Sequence, residues 1–212
     1  PQYGTIKSSE NYERRFIMTF PNETLPKGRK QKTTALYDRF VNQGAVMGDS
    51  FGLENVLWFA KSKEDAHEEP TIKRSRSHDY VSKVVINVRE NVGLIEVANF
   101  SKHEFKGPDA RKFLDHIMAG RLPKPGRISL SPMLSYRGKL CGDLTVACLD
   151  ENEFMVFGSG AAQEMHRRWF ESHLDKFKLS YSNRSDEYHG LSIAGPNSCL
   201  LYTSDAADDC VC

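Results

Sequence analysis

Asp143 is the residue in this sequence best placed to do chemistry. It stands at the entry to an apolar run, Leu144-Thr145-Val146-Ala147-Cys148, after Gly138 and Gly142. A carboxylate there reads in two ways. It is either a turn residue at a strand start or a charge at the mouth of an apolar pocket, facing a cationic or amine ligand. Other chemistries have less support. There is no serine nucleophile elbow and no glycine-rich phosphate loop. Gly158-Ser159-Gly160 ahead of a helix could offer N–H groups to an anion, but it reads first as a tight strand-to-helix turn. His103, His116, His166 and His173 are scattered, and neither helical pair has the i, i+4 spacing of a metal pair. They read as surface or rim histidines. The five cysteines, Cys141, Cys148, Cys199, Cys210 and Cys212, form no CxxC pair. No metal site is expected, and an odd, irregular set of thiols suits a reducing compartment.

These residues need elements to hold them. Asp143–Leu149 alternates Leu144, Val146 and Cys148 against Thr145 and Ala147, the pattern of a half-buried strand. Asp150-Glu151-Asn152 turns it into a returning strand, Glu153–Phe157. Gly93–Ala98 and His103–Lys106 read as strands flanking a turn, and Leu191–Ala194 as a last strand before Gly195-Pro196. Three helices are expected. Asp79–Asn91 carries Val81, Val84, Val85 and Val88 on one stripe. Asp109–Ala119 follows Pro108, ends at Gly120 and gathers Ala110, Phe113, Leu114, Ile117 and Met118. Ala161–Leu174 takes Ser159 as its N-cap and turns Met165, Trp169 and Phe170 inward. The order predicts an α+β fold, with a mostly antiparallel sheet and packed helices.

Elsewhere the pattern is weaker. Residues 12–20 read as a short extended or strand segment that Pro21 stops. Pro26, Lys27, Gly28, Arg29, Lys30 and Lys32 read as a solvated linker, with a phosphate or polyglutamate contact as the sharper alternative. Residues 36–60 hold Gly44, Gly48, Gly52, Trp58 and Phe59, and read as an irregular segment pinned by aromatics. Residues 61–77 lack an apolar face and read as a surface loop.

Composition removes whole classes. With 29 Lys and Arg against 28 Asp and Glu, the net charge is +1, and the basic excess of a nucleic-acid binder is missing. No apolar run is long enough to cross a bilayer. The 212 residues suffice for one or two buried cores. Both ends read as cut, since Pro1 opens the chain and residues 201–212 show no periodicity. That tail is expected to be disordered and non-native, resembling a translated sequencing adapter.

A set of short motifs occurs in a familiar order: Val88-Arg89, Val92-Gly93-Leu94, Gly107-Pro108-Asp109-Ala110, Phe113-Leu114, Gly120-Arg121-Leu122-Pro123 and Pro125-Gly126-Arg127. Pro132-Met133-Leu134, Gly138 and Gly142-Asp143-Leu144-Thr145-Val146 follow. Together they resemble the folate-binding aminomethyltransferase domain of the glycine cleavage T-protein. Upstream, Thr34–Arg39, Gly44-Ala45, Ser50–Glu54 and Trp58–Ala60 resemble the version fused to FAD-dependent dimethylglycine and sarcosine dehydrogenases. Arg14–Pro21 resembles the end of the oxidoreductase part, a segment that stand-alone T-protein lacks.

The resemblance implies that residues 1–33 are the tail of an FAD oxidoreductase domain and a linker. It implies that 34–200 are the N-terminal part of a truncated folate-binding domain. Relatives oxidise an N-methyl amine with FAD to an iminium and capture the one-carbon unit on tetrahydrofolate. By position Asp143 lies against the folate amine as the catalytic carboxylate, and Phe100, Leu130 and Thr145 wall the pterin. FAD belongs to an upstream domain, so no residue here should touch it. The implied partners are folate and a small-molecule amine, with no nucleic acid and no membrane, in a bacterial cytoplasm or a mitochondrial matrix. The sequence does not fix the oligomeric state. The family's usual tyrosine is Leu130 here, its asparagine is Ser135, its aspartate doublet is Gly142-Asp143 and its strand-end asparagine is Gly158. These changes resemble the dehydrogenase branch. Two alternatives stand beside it: a catalytically silent regulatory protein on the same scaffold, like the pyruvate dehydrogenase phosphatase regulatory subunit, or a stand-alone T-protein.

Overall fold

The computed structural model describes residues 2–21 and 23–205. They form two compact units: one takes residues up to Glu96 and from Leu191 onward, the other Val97–Gly190.

The first unit opens with helix α1, Gln2–Glu13. Residues 12 and 13 close that helix and the chain then turns, with the Ile17 amide donating to the Arg14 carbonyl (2.9 Å). The strand expected over 12–20 is therefore absent. Phe16 and Met18 are exposed there, and an apolar run becomes a strand only where another strand takes its backbone.

Residues 36–60 are regular, contrary to expectation. Helix α2 (Tyr37–Asn42) leads into strands β1 (Ala45–Ser50) and β2 (Leu53–Phe59), an antiparallel hairpin. Its two-residue turn is Phe51-Gly52, both at positive φ (53° and 86°), the mirror-image turn whose twist suits paired strands. Gly44 and Gly52 mark turns in an ordered unit, and Gly48 lies within β1.

Its apolar core is small. Val46, Trp58 and Ala60 are buried, and Ala66 and Tyr80 pack on them. Polar clasps add to it. The Glu54 carboxylate is buried and accepts from Arg29 Nε (3.0 Å) and Nη2, while Arg29 also donates to the Met47 carbonyl (3.0 Å). Burial pulls the Glu54 carboxyl up, but Arg29 and the Lys30 amide outweigh it and hold it below the ordinary range. Lys27 pairs with Glu13. So Lys27 and Arg29 of the basic cluster meet this chain's own carboxylates, which removes the basis for a phosphate contact by them. The loop over residues 61–76 is tied down: Asp65 accepts from Tyr80 Oη (2.8 Å) and Arg76 (2.9 Å).

Helix α3, Ser77–Glu90, forms as its periodicity predicts, yet Val81, Val84 and Val85 are exposed. Strand β3 (Gly93–Glu96) pairs antiparallel with β9 (Leu191–Ala194). Helix α6, Ser198–Asp205, takes in residues 201–205 of the stretch expected to be disordered. Cys210 and Cys212 lie outside the described residues.

The second unit is a five-stranded antiparallel sheet in the order β5-β6-β7-β4-β8. Its strands are β4 (Phe100–Lys106), β5 (Arg127–Leu134), β6 (Leu140–Asp150), β7 (Glu153–Ser159) and β8 (Ser180–Asn183). The expected hairpin is β6–β7. Strands β5 and β8 lacked a clear alternation in the sequence. Helices α4 (Ala110–Ile117) and α5 (Gln163–Glu171) supply apolar side chains to the core beneath one face. The expected stripe of α4 is buried in full, among Phe105, Met133, Leu144, Val146, Phe154, Val156 and Phe170. In α5 Phe170 is buried, but Met165 is 53% exposed and His166 takes the inward place. Ser159 makes no capping bond; it ends β7, and a 3-10 turn, Gly160–Ala162, precedes α5.

Candidate functional site

Side chains alternate across a strand, and residues opposite one another in an antiparallel pair share a face. Register therefore places every residue of the sheet. Leu130 on β5 lies opposite Thr145 on β6, Thr145 opposite Phe157 on β7, and Phe157 opposite Lys102 on β4. Two residues further toward one end of the sheet, Asp143 lies opposite Pro132, and Phe100 opposite Ser159. The four residues singled out from the sequence, Phe100, Leu130, Asp143 and Thr145, thus share one face, the one turned away from α4 and α5. Asp143 and Phe100 are two strand spacings apart, about 10 Å.

The local sequence explains this placement. Leu144, Val146 and Cys148 are drawn into the core, so Asp143 and Thr145 must project from the other side. Asp143 and Leu130 are exposed, Leu130 at 65% and Phe100 at 47%. Thr145 is half-buried. The arrangement offers an accessible carboxylate beside apolar surface on which a flat ring can lie.

Two charged residues on this face were not foreseen. Lys102 and Glu104 are both buried. Lys102 Nζ donates to the carbonyls of Phe100 (2.7 Å) and Ala98 (3.2 Å). Lys106 bridges Glu104 (3.0 Å) and Glu153 (3.1 Å), which hold its ammonium above its ordinary value. The signal was present: Lys102 and Glu104 alternate with the core residues Ser101, His103 and Phe105 along β4.

The histidines correct the sequence reading. His103 and His166 are buried beneath the helix-packed face, not at a rim, with ring centroids 6.4 Å apart. His103 shares the parity of Phe105 on β4, and His166 lies one helical turn before Phe170 on α5; both cues point to the core. His103 Nδ1 hydrogen-bonds Tyr181 Oη (2.9 Å). Burial and then the His166 imidazole push its pKa down to about 4, and burial pushes the Tyr181 phenol up. His116 is exposed and His173 half-buried. They flank a cavity of about 360 Å³ with Met118, Leu134, Tyr136 and Trp169; none of the four expected site residues lines it. Cys148 is buried, with its sulfur between Arg111 and the Asp150 carbonyl (both 3.2 Å). Among the described residues no group of three or more His, Cys, Asp or Glu stands ready to hold a metal ion. No helix among them is long and apolar enough to cross a membrane.

Residues 36–209 match the family described as the GCVT N-terminal domain. The chain belongs to that family. This GCVT N-terminal domain is 32% identical over 199 residues to mitochondrial dimethylglycine dehydrogenase of Mus musculus, covering 92% of this chain and 23% of that protein. It is 31% identical to the Homo sapiens protein of the same name, covering 98% and 25%. An aminomethyltransferase of Staphylococcus epidermidis is 27% identical, over 80% of this chain and 42% of that one. The GCVT N-terminal domain thus spans about a quarter of the dehydrogenases and about two fifths of the aminomethyltransferase. The crystal structure of the glycine cleavage system aminomethyltransferase T from Bartonella henselae matches with a TM-score of 0.67 at 22% identity, over 82% of this chain and 43% of that one. That likeness shows the fold, the α+β architecture predicted from the sequence.

Proposed function

We propose that this chain is the tetrahydrofolate-binding part of an FAD-dependent N-methyl amine dehydrogenase of dimethylglycine or sarcosine type. Its role is to pass the released one-carbon unit to tetrahydrofolate. The observation that carries the reading is the common face of Phe100, Leu130, Asp143 and Thr145. The similarity to dimethylglycine dehydrogenases covers 92–98% of the chain, against 80% for the aminomethyltransferase, which favours the fused enzyme over a stand-alone T-protein. In this reading residues 1–33 end the preceding oxidoreductase domain and 34–200 begin the folate domain. The protein works in a mitochondrial matrix or a bacterial cytoplasm.

Leu130, Thr145 and Phe100 give the pterin an apolar floor. Asp143 accepts the proton released as the folate amine bonds to the one-carbon unit, or balances the positive charge that develops there. FAD, bound in the preceding domain, supplies the hydride acceptor for amine oxidation; none of its contacts falls to this chain. In the full-length protein Asp143→Ala is expected to slow single-turnover transfer to tetrahydrofolate on the order of 100-fold or more. Equal rates in the two proteins sink the reading.

One observation favours a second reading, a catalytically silent regulatory or interaction protein. The Asp143 carboxylate makes no hydrogen bond or ion pair among the described residues, and Ile128, Leu130 and Leu149 are exposed. Such a protein shows no tetrahydrofolate binding by titration calorimetry, wild type included.

A further inference from the structure

The stretch of β6 that carries Asp143 is held differently from the rest of the strand. On the β5 side its opposite residue is Pro132, which has no N–H to give. The Pro132 carbonyl instead accepts from the Ala119 amide (2.8 Å), so it is turned away from β6. On the β7 side the paired residues run from Asp150 only to Thr145. Pro132 and Asp143 thus form an ordinary non-hydrogen-bonded pair on the β5 side, while on the β7 side the pairing has ended before the carboxylate is reached.

Beneath this point lies His166. A Cβ on Gly142 would stand 2.7 Å from His166 Nε2, and a Cβ on Gly158 only 2.9 Å from His166 Nδ1. The imidazole thus fills a notch that two glycines on neighbouring strands leave open. One of them is the residue immediately before Asp143. The ring is 2% exposed, and neither nitrogen has a hydrogen-bond partner among the described residues. A buried polar ring without partners is costly, and a purely apolar side chain would avoid that cost. Burial pushes the His166 pKa down, while the Cys141 main chain pulls it up.

We propose that His166 is a positioning residue for Asp143: its ring, wedged under Gly142 and Gly158, fixes the main chain that aims the carboxylate. This rests on the reading of Asp143 given above, and two measurements separate the two ideas. The first is amide hydrogen exchange on the full chain carrying His166→Gln or His166→Ala. Faster exchange at Gly142 and Asp143, with Val146–Cys148 unchanged, is expected. Unchanged protection at 142–143, or an equal rise along all of β6, overturns the positioning role whatever the protein binds. The second is a double-mutant cycle on the full-length protein, read as single-turnover transfer. His166→Gln should slow transfer on the order of 10-fold where Asp143 is present, with the tetrahydrofolate Kd within two-fold of wild type. In an Asp143→Asn background the same change should have no effect, because the group it aims is gone. An equal loss in both backgrounds overturns the proposal. A wild type that binds no tetrahydrofolate overturns the folate reading and leaves the exchange experiment to decide the fate of His166.

Discussion

The two units are built on different physics. The unit spanning Val97–Gly190 gathers Phe105, Phe113, Phe154 and Phe170 with Leu, Met and Val partners in one wholly enclosed cluster. Among the described residues, the unit containing residues up to Glu96 has a core cluster of Val46, Trp58 and Ala60, with Tyr37 also buried, and adds charge pairs such as Arg29–Glu54 and Arg76–Asp65. Apolar packing tolerates change in pH and salt but not loss of volume. A buried charge pair such as Arg29–Glu54 fails when one partner goes, because the other is left as an uncompensated charge. Each unit carries one of the two tryptophans, Trp58 and Trp169, so fluorescence can follow each in turn.

The largest effect is expected at Phe113, which has no solvent exposure. Phe113→Ala should destabilise its unit by about 5 kcal/mol, read by urea denaturation through Trp169. A loss under half of that would mean the aromatic cluster collapses around the gap and is less rigid than its packing implies. Next comes the clasp. Glu54→Ala strands Arg29 and should cost about 4 kcal/mol in the Trp58 transition. Replacing both residues with apolar ones of similar size should recover much of that loss; if it does not, the pair contributes more than mutual neutralisation. The smallest effect sharpens the contrast through pH. The folded His103 titrates at about 4 against an ordinary 6.5, so the unfolded chain takes up its proton first as pH falls. Its contribution is complete above about pH 6.5 and drains away toward pH 4, roughly 3 kcal/mol in all. Above about pH 6.5 the denaturation midpoints of wild type and His103→Phe should keep a constant offset, and toward pH 4 the wild type should fall relative to the variant by roughly 3 kcal/mol. Parallel curves would show that another group carries the acid sensitivity.

What the sequence disclosed follows the same divide. Helix α4 was legible because its apolar stripe is continuous and meets an apolar sheet, so local pattern and distant packing agree. Strands β6 and β7 were legible through alternation and a three-residue polar turn. The hairpin β1–β2 was not, because Asp49, Glu54 and Asn55 interrupt its pattern, and the Glu54 charge is neutralised by Arg29, 25 residues away. Helix α3 announced itself by period, yet its valines stay exposed; periodicity reports a helix and not the fate of its face. His103 and His166 were misread for another reason. Their spacing to Phe105 and Phe170 marked the inward side, but the elements that enclose them, β4, α5 and β8, lie far apart in the chain. For the candidate site, the family likeness named the four residues, and alternation in β6 alone already put Asp143 and Thr145 on a common side. Lys102 and Glu104 were hidden because buried charge contradicts the simplest rule for strands.

Pro132 has one more consequence. Strand β5 is an outer strand of the sheet, and such a strand normally offers a row of free amides to any passing chain. Here the row is broken: Pro132 has no amide to offer, its carbonyl is taken by Ala119, and Met118 bridges to Met133. The segment leaving α4 thus seals the flank against runaway strand addition. A protein with an aromatic-rich core gains from this a guard against fibrous self-association.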